Sequence, residues 1–235
     1  MIGEALPSGP VLVIAPHPDD ETLGCGGLIS LCMRRGERLH VVFVTDGGAS
    51  HPNSVLWDRS RLAACREREA AEALMRLGAG ACERSYLRLP DAEMPAPSTA
   101  AYERARGALV AIIREFRPAL AVLPWRRDPH CDHRDAWSLT MNCLAVAGQH
   151  PELLEYAVWL DELGSPDDHP LPSEMERITL DIAAELAAKR DAVMAHRSQL
   201  GILITDDPSA FVLSRHTIER LTGPEEIYWR PCARA

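Results

Sequence analysis

From residue 11 to residue 22 the chain reads Val11-Leu12-Val13-Ile14-Ala15-Pro16-His17-Pro18-Asp19-Asp20-Glu21-Thr22, and no other stretch limits the fold as much. Val11 to Ala15 are all apolar, the pattern of a parallel strand buried on both faces. Pro16 and Pro18 lack the N–H that a ladder or a helix interior needs, so the strand stops and a stiff loop follows. That loop carries His17 and three consecutive acids, Asp19, Asp20 and Glu21. Open α/β sheets place their ligands beyond the C-terminal ends of strands. Carboxylates this close repel unless a cation or a shared proton separates them, and a divalent metal is the simplest such cation. A solvated acidic turn at a helix N-terminus is the bland alternative, but it gives no reason for His17 or the two prolines.

The rest of the chain alternates short apolar runs with helical periods. Strands are expected at 11–15, 39–45, 85–89 and 119–123. Helices follow them at 23–35, closed by Gly36, then at 58–77, closed by Gly78, and at 98–116 and 134–147. Further strands are expected near 155–160 and 177–182, with a helix at 184–200; the tail after Gly201 is unassigned. A chain of 235 residues without repeats is read as a single domain, 1–235. The alternation, with right-handed crossovers, gives an α/β fold: a Rossmann-like doubly wound, mainly parallel sheet with helices on both faces. In the common strand order, strands one and four lie side by side where the winding reverses.

A net charge of −9 argues against a nucleic-acid partner or an anionic membrane surface. No apolar stretch approaches the roughly 20 residues that span a bilayer. The opening Met1 to Pro7 lacks the basic and apolar regions of a secretory signal. Seven cysteines occur without a C-x-x-C pair, and Cys25, Cys32, Cys65 and Cys143 fall in helical patterns, as buried thiols do. The expected compartment is a reducing cytoplasm.

Strand four also ends in a loop with two prolines, Pro124 to Arg134, which holds His130, Cys131, Asp132 and His133. In a doubly wound sheet both loops open on one crevice. Their donors are His17, Asp19, Asp20, Glu21, His130, Asp132 and His133. A hydrolytic zinc site needs three N/O ligands and one open position, which two histidines and a carboxylate supply. Iron and manganese are lesser options, and with Cys131 the only nearby thiol a closed cysteine site is disfavoured. Spacing alone does not say which acid binds the metal.

These residues give the chain a resemblance to the LmbE-like, or PIG-L, zinc deacetylases. The family's (A/P)HPDDE signature stands as Ala15-Pro16-His17-Pro18-Asp19-Asp20-Glu21, and its HPDH as His130-Cys131-Asp132-His133. The family's helix motif matches Arg66, Glu69, Ala73, Leu77 and Gly78, and its leucine-proline-aspartate matches Leu89-Pro90-Asp91. A later K-x-x-A-x-x-x-H-x-S-Q matches Lys189, Ala192, His196, Ser198 and Gln199. Cys131 departs from the usual proline without removing a ligand. The resemblance implies one zinc ion per chain on His17, Asp20 and His133. It also implies Asp19 as general base, His130 steadying the oxyanion as an imidazolium, and Asp132 orienting a histidine. The implied substrate is an N-acetylglucosamine-type amino sugar on a larger conjugate, losing acetate. Two alternatives stand beside it: an amidase acting on a thiol conjugate or other N-acyl group, and a nucleotide-binding Rossmann module without hydrolysis. The aglycone and any homo-oligomer are left open.

Arg66 has support of its own. At 100° per residue, Leu62, Ala70, Ala73 and Leu77 fall within about 40° of it on the apolar face. A buried arginine needs partners, and Glu69 at i+3 is the expected one; the alternatives are a structural ion pair and a substrate clamp. Asp91 is read as a binder of substrate hydroxyls, with turn chemistry as its rival. Gly24-Cys25-Gly26-Gly27 resembles a dinucleotide fingerprint but has Ile29 where the third glycine belongs, so close helix–strand packing is the preferred reading. Trp125 is either a sugar-stacking ring or a core anchor. The roles of Lys189 and His196 are not assigned.

Overall fold

The computed structural model describes residues 6–232, so most of the segment read for a targeting signal lies outside it. Its strands are β1 (Val11–Ala15), β2 (Leu39–Thr45), β3 (Glu83–Leu89), β4 (Leu120–Pro124), β5 (Glu152–Tyr156), β6 (Met175–Asp181) and β7 (Glu225–Pro231). Its helices are α1 (Asp20–Arg34), α2 (Arg59–Arg76), α3 (Ala100–Phe116), α4 (Cys131–Ala147), α5 (Leu160–Leu163), α6 (Leu186–Val193) and α7 (Arg215–Leu221). The seven strands form one sheet in the order β3-β2-β1-β4-β5-β7-β6. The first five are parallel, and β7 runs antiparallel to both its neighbours. The doubly wound reading holds, with β1 beside β4 at the reversal. No helix among the described residues is long and apolar enough to cross a membrane.

Each continuous apolar strand feeds two cores, because alternate side chains point to opposite faces. Val11, Val13 and Phe43 pack with Ala70 and Leu74 of α2 and with Val193 of α6. Leu12, Ile14, Val42 and Val44 pack with Leu109 and Ile113 of α3 and with Leu139 of α4.

Three differences from the sequence reading matter for the site. Helices α1 and α4 each start three residues earlier than expected, so Asp20 and Glu21 lie in the first turn of one, Asp132 and His133 in that of the other. The helix expected at 184–200 breaks after Val193, leaving a short 3₁₀ turn at Arg197–Gln199. The unassigned tail supplies α7 and β7. The last strand escaped detection because its inward set includes an acid: Glu226 and Tyr228 are buried while Ile227 is exposed. Glu226 is tolerated there because it accepts from Lys189 Nζ (2.7 Å), from Tyr228 Oη (2.7 Å) and from the N–H groups of Gly27 and Leu28 (2.7 and 2.9 Å). Lys189 is thus half of a buried brace between α6, β7 and α1.

The glycines of α1 serve packing. A Cβ on Gly24 would stand 2.2 Å from the Tyr156 ring, and one on Gly27 would stand 2.5 Å from Ile182 Cγ2. Neither faces open space that a phosphate would fill. Gly27→Val should therefore lower stability by about 1–3 kcal/mol through overpacking. Urea unfolding checks this: the midpoint should drop with the m-value unchanged, and an unmoved midpoint would mean that the contact is slack.

Candidate metal centre

The centre lies where the loops after β1 and β4 meet. Asp19 precedes α1 at φ 153°, ψ −26°, a conformation that residues with side chains avoid. Its N–H is held by Glu21 Oε2 at 3.0 Å. Asp20 then turns its carboxylate back into the loop. Its Oδ2 accepts the His17 N–H at 2.9 Å and lies 3.0 Å from His17 Nδ1 and 3.2 Å from His133 Nε2. The other His17 nitrogen, Nε2, is 3.0 Å from Asp132 Oδ2 and 3.2 Å from Asp91 Oδ1. Histidine ligands of metals commonly give their outer N–H to a carboxylate in this way. His133 follows suit, its Nδ1 lying 3.4 Å from Asp128 Oδ1.

His17, Asp19, Asp20, Asp132 and His133 are all buried, and their charges answer one another. Burial opposes charge on His17, but hydrogen bonds to Asp132, Asp20 and Asp91 outweigh it and raise its pKa well above the usual value. Burial likewise opposes charge on His133, but Asp20 and Asp128 raise it to about 9. Burial would raise Asp20, yet His133 and His17 hold it well below the ordinary carboxylate range. Asp19 differs: burial raises it to about 6 against the pull of Arg66. Burial also pushes Glu21 up to about 8.

The donor set fits a metal. Both His133 nitrogens are buried without a well-formed hydrogen bond, although carboxylate oxygens lie near each. Such orphaned nitrogens are costly, and in the neutral ring the one without a proton has a lone pair that an ion can take. One nitrogen each of His17, His130 and His133 lie within 4.8 Å of one another, and so do donor atoms of His17, Asp91 and Asp132. The surrounding carboxylates raise both His17 and His133, which favours positive charge on the two rings.

The structure brings every residue expected at the site to one place, with changed partners for some. Arg66 is buried as expected, but its partner is Asp19, at 3.0 Å, rather than Glu69. It also donates to the carbonyls of Gly47 (2.8 Å) and Pro18 (3.1 Å). Glu69 instead accepts from the Ser198 hydroxyl and N–H, at 2.6 and 2.9 Å. Asp91 touches His17 and accepts the Ala49 N–H at 2.8 Å, which ties the β2 and β3 loops to the centre. His130 caps α4, its Nδ1 accepting the Asp132 N–H at 3.3 Å. That acceptor role requires an unprotonated Nδ1, and burial, aided by His17 and His133, lowers the ring to about 4. Both observations favour a neutral ring with its proton on Nε2 over the expected imidazolium. Cys131 is exposed, its Sγ 3.6 Å from Asp132 Oδ1. Trp125 is a core anchor, fully buried and donating Nε1–H to the Asp168 carbonyl at 2.8 Å.

Asp128 was not singled out in the sequence. It is fully buried, accepts the N–H groups of His130 (3.0 Å) and Trp159 (3.2 Å), and faces His133. Its one signal was an acid before Pro129 in a strand-terminal loop, which turn chemistry explains equally well. Beside the centre opens a cavity of about 400 Å³ that Asp19, Asp20, Arg66, Asp91 and His130 help to line.

Two outcomes follow for metal uptake. His17 and His133 are both raised, which favours their protonated forms, and only neutral imidazole ligates. Zinc loading at pH 7 should release about two protons, and affinity should fall as pH drops because protons then compete. Titration calorimetry in buffers of different ionisation enthalpy counts them; no release would remove both rings from the ligand set. Asp128→Asn should weaken zinc binding about 10–100-fold with the circular dichroism unchanged.

Residues 12–144 match the PIG-L family model, described as GlcNAc-PI de-N-acetylase. The chain is 29% identical to the 1D-myo-inositol 2-acetamido-2-deoxy-alpha-D-glucopyranoside deacetylase of Mycolicibacterium smegmatis, over 92% of this chain and 88% of that one. Among solved structures, the N,N'-diacetylchitobiose deacetylase of Pyrococcus horikoshii superposes with a TM-score of 0.67 at 24% identity, covering 96% of this chain and 84% of the other. GalB, the 4-carboxy-2-hydroxymuconate hydratase of Pseudomonas putida KT2440, superposes with a TM-score of 0.72 at 17% identity, covering 97% of both chains. At those identities the superpositions speak for the fold, and a fold shared with a hydratase does not choose a reaction. The family match, residues 12–144 of 235, takes in both His/Asp loops and more than half the chain, and the protein belongs to the PIG-L family.

Proposed function

We propose that this protein is a zinc-dependent N-deacetylase that removes the acetyl group from an N-acetylglucosamine-type amino sugar carried on a conjugate. The observation that carries the reading is the convergence of His17, Asp20 and His133 beside a separate, strained carboxylate, Asp19, on the wall of one cavity. His17, Asp20 and His133 would hold the ion. Asp20 is preferred to His130 as the third ligand because its Oδ2 lies close to both rings, while His130 Nδ1 is taken up by the α4 cap. Zinc, when bound, supplies Lewis acidity and brings the pKa of water toward about 7.

The chain's own residues divide the remaining work. Asp19, raised to about 6 by burial, is ionised at pH 7 yet basic enough to take a proton from the attacking water. It then hands that proton to the departing amine as the C–N bond breaks, leaving acetate and a free amino sugar. His130 presents Nε2–H to the developing oxyanion, a donor whose direction is set by the cap at Nδ1. Asp132 and Asp128 keep the ligand rings turned. Arg66 holds Asp19 in place through an ion pair and also lines the cavity, so both roles weighed for it have support. The nucleotide-binding alternative loses its support, since Gly24 and Gly27 pack on Tyr156 and Ile182. A cytoplasmic setting is part of the proposal, resting on seven free cysteines.

Acetate release across N-acetylglucosaminyl conjugates and other N-acyl compounds tests the activity and separates it from an amidase with another substrate. Asp19→Asn should keep the metal and lose about 10²–10⁴-fold in turnover. His133→Ala should lose most of the metal. Metal analysis with single-turnover rates decides the assignment: an Asp19→Asn protein at wild-type rate would overturn the base, and full metal in His133→Ala would overturn the ligand.

A further inference from the structure

The cavity has two unlike walls. Asp19, Arg66, Asp91 and His130 form the side next to the metal centre, whereas Trp159, Leu163 and Phe211 line the mouth. The Trp159 and Phe211 rings meet edge to face with centroids 5.4 Å apart. Leu163 is 67% exposed and Phe211 41%, so the apolar faces stand open to water at the entrance. Exposed apolar side chains gathered along one cavity are the kind of surface that a binding groove presents.

The wall is built from separate parts of the chain, each fastened. The Phe211 N–H donates to the Ser50 carbonyl at 3.0 Å. Nearby, Asp206 accepts from Ser54 Oγ (2.8 Å), Val55 N–H (2.9 Å) and Leu56 N–H (3.0 Å), and Asp207 accepts the Asn53 N–H (2.8 Å). These bonds lock the segment after Gly201 onto the loop after β2. Glu162, beside Leu163, accepts from Thr217 Oγ1 (3.0 Å) and Arg220 (2.8 Å). The Trp159 N–H donates to the other oxygen of Asp128, the carboxylate that faces His133. The apolar mouth is therefore one residue removed from the centre and is held before any ligand arrives, which lowers the ordering cost of binding.

Water attack and proton transfer make no use of such a wall, and its exposed Leu163 side chain offers a polyol hydroxyl no hydrogen-bond partner. We infer that Trp159, Leu163 and Phe211 form a subsite for an apolar aglycone, an aromatic or alkyl group joined to the amino sugar. The inference rests on the deacetylase reading and adds the class of conjugate.

The test compares kcat/KM for acetate release from N-acetylglucosamine, its myo-inositol conjugate and its phenyl and octyl glycosides on the zinc-loaded enzyme. The phenyl and octyl compounds should exceed the free sugar by about tenfold or more, the usual worth of a small apolar group in a pocket. In Phe211→Ser and Leu163→Ser that ratio should fall toward one. A wild-type ratio near one, a preference for the inositol conjugate, or a ratio that survives both substitutions would overturn the subsite. Calorimetric binding of phenyl glucosaminide against glucosamine is a second measurement that needs no turnover. If no substrate releases acetate, the deacetylase reading falls, and the binding comparison still decides the subsite: tighter phenyl binding that both substitutions abolish supports it, and equal binding rejects it.

Discussion

One buried carboxylate oxygen, Asp20 Oδ2, sits within 3.2 Å of a nitrogen on each of two imidazoles that come from different strand-terminal loops. A charge in that position is tolerable only with positive charge beside it, because the desolvation of an isolated buried carboxylate is prohibitive. The centre follows from that requirement. The carboxylates around His17 and His133 favour positive charge on both rings, and in the proposed enzyme the same two rings would hold the ion. Asp132, Asp91 and Asp128 then stabilise the outer edges of the same rings. Asp19 escapes this pairing, and it alone of the adjacent acids meets a guanidinium. The neighbours in sequence thus come to play opposite parts: Asp20 is held deprotonated, while Asp19 stays close to neutrality in its basicity.

The strained backbone at Asp19 needs support, and it comes from behind the site. Glu21 holds the Asp19 N–H and accepts from Thr22 Oγ1 at 2.7 Å, and Thr22 Oγ1 is 3.1 Å from His196 Nε2. The late motif that contains Lys189, His196, Ser198 and Gln199 resolves into four braces. Each reaches a different partner: Glu226, Thr22, Glu69 and Ser50 respectively. These residues steady the elements that carry the site, and their polar ends are buried because the partners are too.

How much of this could be read in advance depended on whether the signal was local. The β1 run, the two prolines after it and the His/Asp loops were legible because apolar periodicity and proline chemistry act over a few residues. The convergence of the loops after β1 and β4 was legible at one remove, through the topology of doubly wound sheets. Arg66 shows where such reading stops. The helical wheel placed it correctly on the buried face, but the nearest acid in sequence was not its partner. Glu69 turned to Ser198, and the guanidinium reached across the chain to Asp19. β7 was missed for a related reason, since Glu226 breaks the apolar alternation and is acceptable inside only because Lys189 meets it.

The sequence by itself determined the alternation of strands and helices, the sheet class and the chemical inventory of the site, all of which follow from local sterics and hydrophobic pattern. Only the tertiary structure decided which donor faces which. It placed His130 Nδ1 over an α4 N–H, which favours the neutral ring. It recruited Asp128 to His133 and gave Asp19 its guanidinium. It also gathered Trp159, Leu163 and Phe211 at one mouth. These pairings join residues from separate elements, and their energies depend on distance, burial and orientation, quantities that exist only once the chain has folded.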